Sequence, residues 1–102
     1  MDDLGRFADP SVLILTSLDG GPKHGYALIK DIEELAGATL GPGTLYAALA
    51  RLERRKLIRA LPEEDRRRPY EITADGAGAL RSYLEHARRV AGAGLRRLAA
   101  YA

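Results

Sequence analysis

Thirteen of the sixteen cationic side chains in this chain are Arg and only three are Lys. A guanidinium is a planar fork of donors that matches phosphate oxygens and the edge of guanine better than an ammonium does. The cations are also unevenly placed. Residues 1–50 hold three Lys/Arg against seven Asp/Glu and residues 51–102 hold thirteen against seven, so a half of −4 precedes a half of +6. Eight of the basic residues lie between Arg51 and Arg68. That clustering points to an acidic partner, although the whole chain carries only +2.

Other chemistries have no constellation to stand on. His24 and His86, the two histidines, lack metal-ligand spacing, and with no Cys there is neither a thiolate site nor a disulfide. Ser11, Ser17 and Ser82 lie in no nucleophile setting. Gly41 and Gly43 are followed by no Gly-Lys-Ser/Thr, which a phosphate loop requires. No enzyme, metal or cofactor is expected. No apolar run, Val12 to Leu15 included, is long enough to span a bilayer, and the acidic start MDDLGRFADP is no secretory signal, so a cytoplasmic protein is expected.

The arginines must be positioned by elements, and the decisive one is Gly41 to Ile58, GPGTLYAALARLERRKLI. Read as a helix over 42–56, it lines up Leu45, Leu49 and Leu52 on one face. The other face carries Gly43, Thr44, Ala47, Ala50, Arg51 and Arg54. Small residues permit close approach and guanidiniums meet acidic groups or base edges, which is what a DNA recognition helix needs.

Asp9-Pro10 opens an earlier helix, which stops at Asp19-Gly20-Gly21-Pro22. Val12, Leu13, Ile14, Leu15 and Leu18 cover most of its circumference, so it should touch its own domain and a partner subunit, the latter through Val12 and Leu15. A second helix over 23–35 aligns Leu28, Ile32 and Leu35, with Gly37 as C-cap, His24 satisfying a backbone group at its start and Tyr26 in the core. Followed by the basic helix, it forms a helix-turn-helix pattern. Leu57–Leu61 and Pro69–Thr73 then read as strands joined by a seven-residue polar loop, Pro62 to Arg68. In that loop Arg66, Arg67 and Arg68 are candidate phosphate contacts.

Thr73 caps a last helix reaching about Ala100, whose stripe Ala77, Leu80, Leu84, Ala87, Ala91, Gly94, Leu98 and Tyr101 alternates spacings of three and four. So small a domain cannot cover it, and Leu80, Leu84, Ala87, Ala91, Gly94 and Leu98 are therefore expected at an interface with a second copy.

His24-Gly25-Tyr26, the run GPGTLYAALARLE from Gly41 to Glu53, Leu57-Ile58, RRPYEIT from Arg67 to Thr73 and Asp75-Gly76 together resemble the PadR-like transcriptional regulators. The resemblance spans about Val12 to Leu84. It implies a mainly α fold with a small β-hairpin: a winged helix-turn-helix at 1–72 and a C-terminal dimerisation helix at 73–102. It further implies a homodimeric repressor on a palindromic operator in double-stranded DNA, with the helix at 42–56 in the major groove and the wing at 57–73 on adjacent backbone or minor groove. The implied contacts are Gly43, Thr44, Ala47, Arg51 and Arg54, with a phosphate donated to by Tyr46. A small-molecule effector of unknown identity is compatible with the resemblance, since some relatives bind planar aromatics between dimer halves. The chain departs from the family at Lys56, where Gly is usual, so Lys56 must take a C-cap conformation at some cost or the helix must end differently. It departs again where Pro69 precedes a single wing aromatic, Tyr70. The rival reading is a winged-helix module that meets an acidic protein instead of DNA. Such a helix should expose large apolar anchors where this one has Gly43, Thr44 and Ala47.

Overall fold

A computed structural model describes residues 9–101; the acidic opening stretch 1–8, part of the segment taken above as no secretory signal, and Ala102 lie outside the described residues. The elements run α1 (Pro10–Asp19), α2 (Gly25–Ala36), α3 (Pro42–Arg54), β1 (Ile58–Ala60), β2 (Tyr70–Ile72) and α4 (Ala74–Ala99). The architecture is mainly helical, with a two-stranded antiparallel hairpin and a long last helix, as the residue pattern predicts. Among the described residues, no helix is long and apolar enough to cross a membrane.

Helix α1 starts where Asp9 Oδ1 accepts from the Ser11 N–H at 2.7 Å and Pro10 fills the first position. Its apolar circumference is met largely within the chain, because α2, α3, α4 and β2 all pack on it. Leu13, Ile14, Leu15 and Leu18 are buried and Val12 is half-buried. Leu15, expected to face a partner, is thus part of the chain's own core. Leu28 and Ile32 of α2, Leu45, Ala48, Leu49 and Leu52 of α3, Ile58 of β1 and Leu80 of α4 complete that core. Each fully buried Leu or Ile contributes about 1.5–3 kcal/mol relative to exposure.

Two expectations on α2 are corrected. Tyr26 is 64% exposed and Leu35 44% exposed, so neither is core. Leu35 shares the Leu28–Ile32 face but sits in the last turn of the helix, where the covering layer ends, whereas Tyr26 lies on the opposite, polar face beside Lys30. His24 does cap α2, its Nδ1 accepting from the Ala27 N–H at 3.4 Å, and Gly37 closes the helix at φ 64°.

The hairpin pairs Ile58 with Ile72, Arg59 with Glu71 and Ala60 with Tyr70. Lys23 adds a third, one-residue edge that sequence reading missed: its N–H donates to the Tyr70 carbonyl at 3.1 Å and Tyr70 N–H to the Lys23 carbonyl at 2.9 Å. No alternating pattern surrounds Lys23 to signal a strand. Its ammonium donates to the Ser17 carbonyl, while the buried Ser17 hydroxyl donates to Asp31 at 2.6 Å, so α1, α2 and the hairpin are pinned at one point.

The seven-residue loop is also more ordered than a polar tip. Glu64 and Arg67 exchange two backbone hydrogen bonds of 2.8 Å, with Asp65 at φ 50° and Arg66 at φ 66° between them. Positive φ at both central residues makes a two-residue hairpin turn of the kind usually filled by Asn-Gly, and Asp-Arg gives no such signal.

At the end of α3, Lys56 takes φ 62°. Its N–H donates to the Glu53 carbonyl at 2.9 Å and Leu57 N–H to the Leu52 carbonyl at 3.0 Å, the paired bonds of a Schellman cap. Lys therefore occupies a left-handed position that strains any residue with a Cβ. Replacing it, Lys56→Gly, should raise unfolding free energy by about 1 kcal/mol, since relief of strain exceeds the added chain entropy. Gly76→Ala should do the opposite, by about 1–3 kcal/mol or more, because its Cβ would lie 2.0 Å from the Leu57 carbonyl oxygen. Urea denaturation of both variants checks the signs.

Candidate nucleic-acid interface

The physical basis of the site is the division of α3 into two faces. Leu45, Ala48, Leu49 and Leu52 turn inward and are buried, whereas Gly43, Thr44, Tyr46, Ala47, Ala50, Arg51 and Arg54 are exposed. Nothing bulky and apolar stands on that outer face apart from Tyr46, and Arg51 and Arg54 occupy its last turn. A thin face of this kind can approach within a groove closely enough for the two guanidiniums to reach base edges or phosphates. α3 opens at Gly41 with no side-chain cap, so its first N–H groups have no side-chain acceptor.

Tyr46 packs its ring against α2 and stays half open at 53% exposure. A Cβ at Gly25 would stand 2.3 Å from the Tyr46 hydroxyl, so Gly25 is what lets that hydroxyl lie at the start of α2. Beside it opens a cleft lined by His24, Tyr26, Tyr46, Tyr70, Glu63 and the wing arginines Arg66, Arg67 and Arg68. Tyr70 is pushed above its ordinary value near 10, first by burial, then by the Glu53 carboxylate and Tyr46, with Arg68 opposing. It is therefore a phenol, able to donate, at neutral pH.

The three wing arginines are not equivalent, which their adjacency in sequence conceals. Arg67 Nη1 lies 3.2 Å from His24 Nε2, and Arg68 Nη1 donates to the Leu61 carbonyl at 2.8 Å, bracing the wing. A neutral imidazole has one acceptor nitrogen, so the Arg67 contact and the α2 cap compete for it. Arg66 alone makes no side-chain hydrogen bond among the described residues, and it occupies the strained tip of the turn. Among the described residues no group of three or more His, Cys, Asp or Glu could hold a metal ion.

On α4, Leu80 is buried against α1, Ala87 is half-buried and Ala91 and Gly94 are exposed. Leu84 is 43% and Leu98 67% exposed. Tyr83, Val90 and Leu95, which the three-four spacing left out, are also exposed. At about 100° per residue these residues and the original stripe share an arc of roughly 140°, wider than a two-helix seam. Leu15 and Leu80, both covered within the chain, have little surface to offer a second copy.

The model of the PadR-like family of transcriptional regulators matches residues 14–82. The chain belongs to this family. A structure of a PadR family transcription regulator from Clostridium difficile superposes with a TM-score of 0.80 at 25% identity, covering 89% of this chain and 99% of that one. A PadR family regulator from Eggerthella lenta is 30% identical, with a TM-score of 0.71 over 86% of this chain and 79% of its own. An uncharacterised 37.1 kDa protein in transposon TN4556 of Streptomyces fradiae is 44% identical over 87 residues, 85% of this chain. The chain spans only 25% of that relative's length.

Arg51→Ala should weaken duplex binding by about 1–3 kcal/mol, whether the contact is to a base or a phosphate. Circular dichroism should stay native, because the side chain points away from Leu45, Leu49 and Leu52. Fluorescence anisotropy with labelled duplex measures the change in affinity.

Proposed function

We propose that this PadR-family chain acts as a homodimeric repressor, with α3 in the major groove of a palindromic operator and the wing on neighbouring backbone. The observation that carries the reading is the cleft that brings Tyr46 of α3 beside Arg66, Arg67 and Arg68, so that the recognition helix and the wing's arginines adjoin. Gly43, Thr44, Ala47, Arg51 and Arg54 face the groove, and Tyr46 donates to a phosphate at its edge. The strained placement of Arg66 supports a contact at the wing tip, since a Gly there would fold at less cost.

Dimerisation is supported by α4. Leu84, Val90, Leu95 and Leu98 are 43–69% exposed on one arc, and a second copy would cover them. The duplex upstream of the chain's own gene is the first probe. Retardation that resists excess random duplex supports the reading, and equal competition by random DNA contradicts it. Leu84→Asp with Leu98→Asp should yield monomers or unfolded chain in sedimentation, because buried unpaired carboxylates are costly. An unchanged dimer would remove α4 from the interface.

Replacing Arg66, Arg67 and Arg68 with Gln should weaken operator and random duplex by similar factors. The plot of log affinity against log salt should become shallower by about 0.9 for each phosphate that an arginine no longer neutralises, summed over two wings. Titrations at several salt concentrations read the slope. Of the single variants, Arg66→Gln should move it most, since Arg67 and Arg68 already have partners within the chain.

A further inference from the structure

We propose that Thr73 is a positioning residue whose hydroxyl fixes the angle between α3 and α4, and thereby the separation of the two recognition helices in a dimer; the second half rests on the homodimer reading above. Thr73 stands between the helices and binds both the cap segment that follows α3 and the first turn of α4. Its N–H donates to the Leu57 carbonyl at 3.1 Å and its Oγ1 donates to the Lys56 carbonyl at 2.8 Å. The same Oγ1 accepts from the Gly76 N–H at 3.0 Å, in the first turn of α4.

The joint has no slack. Leu57 N–H is bonded back to Leu52 inside α3, and the α4 backbone at Gly76 lies so close to the Leu57 carbonyl that no Cβ fits between. Lys56 is held in its left-handed conformation at this crossing. Past Leu80, by contrast, every described residue of α4 is exposed or half-buried, so little within the chain corrects its direction. The helix has 26 residues and a length of about 39 Å at about 1.5 Å per residue, so a tilt of about 10° at its root moves its far end by about 7 Å. One base pair of operator spacing is about 3.4 Å. Small errors at the Thr73 joint therefore exceed the tolerance of two half-sites.

Capping and positioning are chemically separable here. An ionised Asp caps a helix as well as Thr does but has no hydrogen to donate to the Lys56 carbonyl. Thr73→Asp keeps the cap and breaks the link, Thr73→Val removes both, and Thr73→Ser restores both. The chain has no native cysteine, so spin labels can be placed at Arg55→Cys and Ser82→Cys, both exposed positions. Dilution into unlabelled protein isolates the distance within one chain. The parent and Thr73→Ser should give one narrow distribution, while Thr73→Asp and Thr73→Val should give shifted or broadened ones. A Thr73→Asp distribution identical to the parent would reduce the hydroxyl to a helix cap and overturn the proposal.

A duplex recovered from a random-sequence pool, compared with the same duplex lengthened by one base pair between half-sites, supplies the functional arm. The parent's preference for the shorter duplex should fall towards unity with Thr73→Asp, with half-site affinity retained; a preference kept at the parental ratio would overturn the link to spacing. A parent that binds no duplex, yet shows the broadened distance in Thr73→Asp, would retire the DNA reading and leave the joint standing.

Discussion

Helix α1 has so little polar circumference that three other helices and a strand must gather round it before its side chains leave water, and that requirement orders the rest of the fold. α3 reaches α1 through Leu45, Leu49 and Leu52, which fixes its rotation about its own axis. Once those leucines are inside, Gly43, Ala47, Arg51 and Arg54 have only the outside left. The orientation of the outer face is thus a consequence of core burial and needs no interaction of its own.

Much of this was readable because burial in short helices leaves a periodic trace. The caps at Asp9, His24, Gly37 and Thr73 each have a local chemical reason, and all four act as their residue types suggest. At Lys56, where the family resemblance left either a strained cap or a different helix end, the structure takes the strained cap. What stayed hidden was non-local or lacked its usual residue: the Lys23–Tyr70 edge has a single residue on one side, and the wing turn carries Asp-Arg where Asn-Gly would announce it. The exposure of Leu35 depended on how far a neighbouring layer reaches, which periodicity does not encode, whereas that of Tyr26, on the face opposite Leu28, was there to be read from helical spacing. The division of labour among Arg66, Arg67 and Arg68 required knowing that His24 and Leu61 lie across from them.

The candidate interface was legible in residue type and only partly in arrangement. Arg51 and Arg54 follow from helical spacing, whereas the cleft that unites Tyr46 with the wing depends on the hairpin folding back beside α2. Gly25 illustrates the difference. In sequence it is a glycine beside a histidine; in the fold it is the space that the Tyr46 hydroxyl occupies. Membership of the PadR-like family makes DNA-binding regulation the frame in which this surface is understood, and the geometry says which side chains within that frame are available.

The most direct test of whether the outer face of α3 and the wing form one DNA-binding surface is backbone amide NMR of the isotopically labelled chain titrated with duplex. Shifts should concentrate on Gly43–Arg54 and Glu63–Arg68, with Tyr26 at their margin and the buried amides of α1 unmoved. Shifts confined to α4, or none on α3 at a duplex concentration that saturates binding, would contradict a shared surface.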